Sequence, residues 1–287
     1  MAINDRRLEV TEFDFDEVKT NLKTFLKAQN QFTDYDFEGS GMNILLDVLA
    51  YNTHYLGFNA NMLANEMFLD SSSLRSSIVS HAKTLGYTPT SARASKAVVD
   101  VTLNTNSSSL TMPAGTVFNT AVDGVSYNFS TITDVTKSNT GNSIPFTNID
   151  IYEGTFITTR YSVDSSDVDQ RFLLTDNRAD TTTLTVKVQT SSSDSTTTTY
   201  TKATDITQLT ASSNVYFLQE VEAGVFEIYF GDGIIGSALS DGNIIILTYV
   251  VSNKSLANGA ALFDNAATIA AVSDISVATV AAASAGC

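Results

Sequence analysis

Apolar positions recur at helical spacing through the first ninety residues and at a spacing of two beyond them. Phe15, Val18, Leu22, Phe25 and Leu26 predict a first helix over about 15–30, with Asp14 and Glu17 three positions apart as a capping-box signal. A loop follows through Gly41, where the glycines and Ser40 can cap the next helix. That second helix is expected over about 42–68. Its Ile44, Leu45, Val48, Leu49, Tyr51, Tyr55, Phe58, Met62 and Leu63 surround much of the circumference, so it must pack on more than one neighbour. Gly57 marks an interruption or a close contact. A third helix carries Leu74, Ile78, Val79, Ala82 and Leu85, with Asp70 and the serines 71–73 as N-cap candidates and Gly86 at its C-terminal end. No proline precedes Pro89, which permits long helices.

Near Ala97 the period changes. Val99, Val101 and Leu103 alternate with Asp100 and Thr102, as in a half-buried strand. Met112–Gly115 reads as a turn. Strands are expected at 117–118, 127–129, 149–152, 156–161, 184–188, 215–217 and 225–230. The apolar run Ile244–Val251 predicts a strand covered on both faces. The Ser/Thr-rich stretch 190–201 reads as a hairpin tip or loop. From Ala257 the chain turns Ala-rich. The pattern therefore predicts an α+β protein with a helical arm over 1–90, a β-rich wing over 91–262 and an Ala-rich segment, 263–287, leading out of it.

Composition narrows the function classes. The 287 residues carry a net charge of −15. Residues 1–90 hold 12 acidic and 7 basic side chains and residues 91–287 hold 19 and 9, so the acidity (−5 and −10) is spread along the chain. Nucleic-acid binding needs clustered Lys and Arg to displace counterions, and this chain has none. No apolar run is long enough for a membrane-spanning helix. The single cysteine, Cys287, excludes an internal disulfide and multi-cysteine zinc sites.

Chemistry-bearing motifs are sparse. Gly231-Asp-Gly-Ile-Ile-Gly236 matches G-x-G-x-x-G after an expected strand. A dinucleotide site requires a helix next, whereas Ser240–Asn243 makes a turn into another strand, so the glycines are read as a β-loop. His54 and His81, the only histidines, lie 27 positions apart on expected helices and are read as packed or interfacial. Asp164, Asp167 and Asp169 lack the glycine turn and closing acid of a calcium loop and are read as solvated. No catalytic constellation, metal site or cofactor site is expected.

The aromatic set Tyr35, Phe37, Tyr51, Tyr55, Phe58 and Phe68 is large for three helices. Aromatic side chains anchor interfaces, and with Phe15, Leu22, Phe25 and His54 they form the expected protein-interface set.

Asn21-Leu-Lys-Thr-Phe-Leu-Lys-Ala-Gln29, Asp34-Tyr-Asp-Phe-Glu-Gly-Ser-Gly41, Leu45-Leu-Asp-Val-Leu-Ala-Tyr-Asn-Thr-His-Tyr55, Ala64-Asn-Glu-Met-Phe-Leu-Asp70 and Ser80-His-Ala-Lys-Thr-Leu-Gly-Tyr-Thr-Pro89 together resemble the N-terminus of the baseplate wedge subunits of T-even-like contractile-tailed phages. Those subunits are related to the baseplate J proteins. Phe230–Gly236 followed by Asp241-Gly-Asn243 resembles a loop of the baseplate J proteins. The resemblance implies a non-enzymatic structural subunit that is assembled in the host cytoplasm and carried in the virion. It implies an inner ring around the hub, and two copies whose N-terminal helices bundle with a helix of a larger wedge subunit. It further implies β-rich wings, and a ring that rearranges when contraction is triggered. Members of that family are longer, so the region that joins neighbouring wedges is expected to lie outside these 287 residues. The competing expectation is a tail-associated adhesin whose Thr/Ser-rich β-body binds glycans.

Overall fold

The computed structural model describes residues 14–28, 39–167, 170–222, 224–265 and 267–287. The chain divides into two compact units, Met1–Tyr87 and Thr88–Cys287. It is α+β, as the periodicity predicts, with helices in the first unit and strands in the second.

In the first unit α1 spans Phe15–Lys27, α2 Gly41–Glu66 and α3 Arg75–Thr84. Ser40 caps α2 by accepting the Asn43 N–H at 3.1 Å. Asp14 stands at the N-cap of α1, but its side chain accepts no capping hydrogen bond and only its carbonyl receives the Val18 N–H. Gly57 is buried inside an unbroken α2. The cap of α3 departs from the expected Asp70 and serine set. Glu66, the last residue of α2, reaches back so that its carboxylate accepts the Ser73 N–H at 2.9 Å, the Ser73 hydroxyl at 2.8 Å and the Leu74 N–H. A carboxylate there satisfies N–H groups that the helix leaves unpaired and complements the helix dipole. The turn between α2 and α3 is closed further by His81, whose Nε2 lies 2.9 Å from the Glu66 carbonyl oxygen.

The second unit holds β1 Lys96–Asn104, β2 Ser109–Met112, β3 Val117–Val122, β4 Val125–Ser130, β5 Val135–Ser138, β6 Ser143–Glu153, β7 Thr155–Ser162, β8 Phe172–Leu174, β9 Ala179–Gln189, β10 Thr197–Lys202, β11 Val215–Glu222, β12 Val225–Phe230, β13 Ile244–Val251 and β14 Ile275–Ser284. They form a five-stranded sheet in the order β14-β1-β6-β4-β3, a seven-stranded sheet in the order β7-β13-β9-β10-β11-β12-β8, and the β2-β5 pair. All neighbours are antiparallel except β10 and β11.

Each sheet has its own core. Ala97, Val99, Val101 and Leu103 of β1 face Phe118, Phe129, Ile144, Phe146 and Ile151, with Phe263 edge-on to Phe129. The inward parity of β6 breaks between Phe146 and Ile149, where the register against β1 shifts. Asn148 takes up the extra residue in a left-handed conformation (φ 54°) and donates its N–H to Asp100. The second core gathers Ile245, Leu247 and Tyr249 of β13 with Val186, Phe226 and Ile228. The other side of β13 is only half-buried at Ile244, Ile246 and Thr248, so the expectation of equal cover on both faces is not met. The seven-stranded sheet curls until its two edge strands meet. Tyr161 of β7 donates its hydroxyl to the Leu173 carbonyl of β8 at 2.7 Å, and its ring packs edge-on against Phe172.

The two sheets are stitched together at one crossing. Gly154 alone separates β6 from β7, with φ 127°, and a Cβ there would lie 2.2 Å from the Val251 carbonyl oxygen. Only glycine fits this passage. Buried carboxylates hold the strands around it. Glu153 accepts the backbone N–H and the side-chain amide of Asn253, and Asp180 accepts the Ala94 N–H at 2.8 Å together with the Thr182 N–H and hydroxyl.

The Ala-rich segment is a correction to the sequence expectation. Rather than leading out of the β-body, residues 275–284 pair along β1 as an edge strand, and Cys287 exchanges backbone hydrogen bonds with Arg93. Alanines and β-branched residues serve here because the strand lies at an edge, where little volume needs filling.

Two outcomes test these devices. Asp180→Ala leaves buried backbone N–H groups without an acceptor and is expected to destabilise the β-unit by about 3 kcal/mol, read as a lower urea midpoint; an unchanged midpoint would mean that water replaces the carboxylate. For Glu66, hydrogen bonds from Ser77 and then Ser73 hold the carboxyl at about 2, against an ordinary 4.5. The folded-state value is depressed, so the stabilisation is fully present above about pH 4.5 and fades as pH falls toward 2. Protection of the Ser73 and Leu74 amides, taken relative to their intrinsic exchange rate at each pH, should fall over that window, and Glu66→Gln should remove the acid-dependent step.

Candidate interaction surface

The geometry of α2 defines the candidate site. At 3.6 residues per turn, its side chains fall into three lengthwise seams. The first is Asn43, Leu46, Ala50 and Gly57, which are the buried residues of the helix. α1 packs along α2, with Val18 buried and Lys19 ion-paired to Asp47. Alanine and glycine in this seam let the helices approach closely.

A second seam is Ile44, Val48, Tyr51, Tyr55, Phe58 and Met62, spaced in alternating steps of four and three. All six are exposed, and the Tyr51 and Tyr55 rings stack at 6.4 Å. The third is Leu45, Leu49, Asn52, Leu56, Asn59 and Leu63, with the same steps and with its leucines exposed, reaching 69% at Leu63. The two seams lie about 100° apart around the helix. Such spacing is the signature of knobs-into-holes packing against other helices. Ten large apolar side chains, each about half exposed, present on the order of 1,000 Å². That exceeds the few hundred Å² usual for an apolar patch on a soluble monomer. Between Asp47 and Glu66 the helix carries no Asp, Glu, Lys or Arg, so no formal charge interrupts either seam.

Of the expected interface residues, Tyr51, Tyr55 and Phe58 fall together in the second seam and are exposed. His54 is exposed on the side between that seam and the buried one. Phe68 lies just past the end of α2, exposed beside Met67 and Leu69. Phe25 of α1 is 63% exposed, whereas Phe15 and Leu22 are half-buried. Tyr35 and Phe37 lie outside the described residues. The leucine seam was not singled out from the sequence. Its heptad spacing is legible there, but aromatic content drew the choice instead.

The remaining motifs resolve into local structure. The Gly231–Gly236 loop joins β12 to β13, and a Cβ on Gly231 would meet the Gly236 backbone at 2.4 Å. Asp232 accepts the N–H groups of Ile234 and Ile235 and so closes the loop on itself. The Asp164 carboxylate accepts the Ser166 hydroxyl and N–H, which hold its pKa below the usual carboxylate range. Asp169 lies outside the described residues.

Comparison with known proteins gives three findings. Residues 14–87 match the family described as baseplate wedge protein gp6-like, helical domain. The baseplate wedge protein gp6 of Enterobacteria phage T4 is 30% identical over 283 residues, covering 92% of this chain and 42% of that protein. The chain thus spans less than half the length of this relative. A solved baseplate of the anti-feeding prophage aligns over 94% of this chain and 48% of that chain at 14% identity, with a TM-score of 0.26, which is too low to establish a common fold.

Proposed function

From the match of residues 14–87 to the gp6-like helical domain and the 30% identity to the T4 wedge protein, we propose that this chain belongs with the baseplate wedge proteins and is a structural, non-enzymatic subunit of a contractile-tail baseplate. Its helical unit docks it onto other baseplate chains, and its place is the virion tail. Assembly proceeds in the host cytoplasm. The observation that carries this reading is the pair of uncovered apolar seams on α2. A helix that is apolar around much of its circumference is stable in water only when those sides are covered, and within this unit α1 lies along one side.

In the finer form of the proposal, the covering helices come from a second copy of this chain and from a larger wedge subunit. The assembled copies form the inner ring around the hub, and the ring rearranges when sheath contraction is triggered. The division of the chain supports this arrangement. The exposed large apolar groups crowd into the helical unit, while the β-unit closes its own cores.

Replacing Tyr51, Tyr55 and Phe58 together with Ser tests the docking role. Truncating a buried interface aromatic costs about 2 kcal/mol or more, so the triple variant is expected to drop out of co-assembly with baseplate subunits in a pull-down. Its β-unit should still melt at the parental temperature. Undiminished co-assembly would remove α2 as the docking element.

A further inference from the structure

The β-unit holds a cleft that neither of its cores uses. β4 pairs with β6 only at Phe129–Glu153 and Ser130–Tyr152. Beyond Ser130 the chain turns away toward β5, and a cavity of about 270 Å³ opens between residues 131–135 and residues 148–152 of β6. We propose that this cleft binds a single neutral sugar ring, with Asp150, Asn148 and Thr133 taking its hydroxyl groups. The site is separate from the docking role of the helical unit and does not depend on it.

Size sets the first limit. Pockets that hold drug-sized molecules begin at about 300 Å³, so this cleft takes one small ring rather than an extended ligand. Charge sets the second. The Lys96 ammonium lies 2.7 Å from Oδ2 of Asp150 and 5.8 Å from the centre of the Tyr152 ring. Lys96 and Asp150 cancel, and burial pushes the Tyr152 hydroxyl up, so that it stays neutral. An ion entering the cleft meets no net opposite charge, and an anion also meets the −15 of the chain.

The polar groups that remain open set the ligand chemistry. Lys96 holds one oxygen of Asp150, while Oδ1 accepts no hydrogen bond among the described residues. The Asn148 side-chain amide and the Thr133 hydroxyl likewise make none among the described residues, and all three side chains line the cleft. A carboxylate oxygen accepts, an amide donates and accepts, and a hydroxyl does either. A purely apolar ligand would leave all three without partners. A sugar matches them with adjacent hydroxyls that both donate and accept, on a ring whose C–H face is apolar. Half-buried Ile132 and Val135 and buried Ile149 give that face a floor. The groups are also held in place before any ligand arrives. Asn148 is fixed by its left-handed bulge conformation and by its N–H on Asp100 at 2.7 Å, and Asp150 is fixed by Lys96. Such preorganisation lowers the entropy cost of binding.

A glycan array probed with the full chain tests the site. Its spots carry terminal glucose, galactose, mannose or their N-acetyl forms, with sialic acid as the anionic control. Binding to at least one neutral sugar is expected, with none to sialic acid. Asp150→Ala removes a charged acceptor and should weaken that binding by about tenfold or more. Thr133→Val removes only an exposed hydroxyl and should weaken it with an unchanged melting temperature, which separates loss of the site from loss of the fold. No binding to any neutral sugar overturns the proposal, as does a preference for sialic acid. Neutral-sugar binding that both variants retain in full overturns the assignment to this cleft. Co-assembly of Thr133→Val with baseplate subunits should be undiminished, so failure here and failure of the docking role are read separately.

Discussion

Everything about the helical unit follows from one constraint: α2 is apolar around much of its circumference, and within the unit α1 lies along one side of it. The buried seam sets the small residues Ala50 and Gly57 beside Asn43 and Leu46. The other two are built of large ones and stay open. A folding core alone would place the large residues inward, because burying a leucine or phenylalanine releases more free energy than burying an alanine. The arrangement leaves the large residues of two seams exposed in the isolated unit, at a cost in its stability.

The β-unit is governed by the opposite requirement. Its two sheets cover their own apolar faces, and its most demanding point is the single-residue passage at Gly154 between β6 and β7. Around that passage the buried carboxylates of Glu153 and Asp180 bind backbone N–H groups that the sheets leave unpaired. The edge strands of the seven-stranded sheet meet through the Tyr161 hydroxyl on the Leu173 carbonyl and the Tyr161–Phe172 ring contact.

The helix–turn between α2 and α3 sits between these extremes. Glu66 ends one helix and caps the next, and His81 closes the turn from the other side. Side-chain hydrogen bonds to a helix terminus fix the direction in which the following helix leaves. The exposed residues Met67, Phe68, Leu69 and Leu74 thereby become a continuation of the apolar surface beyond the end of α2.

Local pattern determined a great deal on its own. Helical spacing located α1, α2 and α3 to within a few residues, because the period of a helix is written in every turn. Alternation located β1 and an apolar run located β13, and the turn after the glycines was enough to read Gly231–Gly236 as a β-loop, since a phosphate site needs a helix there. The apolarity of α2 around much of its circumference was legible too, and with it the need for more than one neighbour. Tertiary structure decided what pattern cannot express. Which side of α2 is covered depends on where α1 returns to lie. Glu66 became the cap of α3 through a reach of seven residues that no capping motif encodes. The Ala-rich 275–284 reads as featureless, because an edge strand is chosen by the backbone hydrogen bonds β1 offers rather than by its own side chains. The pairing of Asp180 with Ala94, 86 positions apart, exists only once the two sheets have met at Gly154.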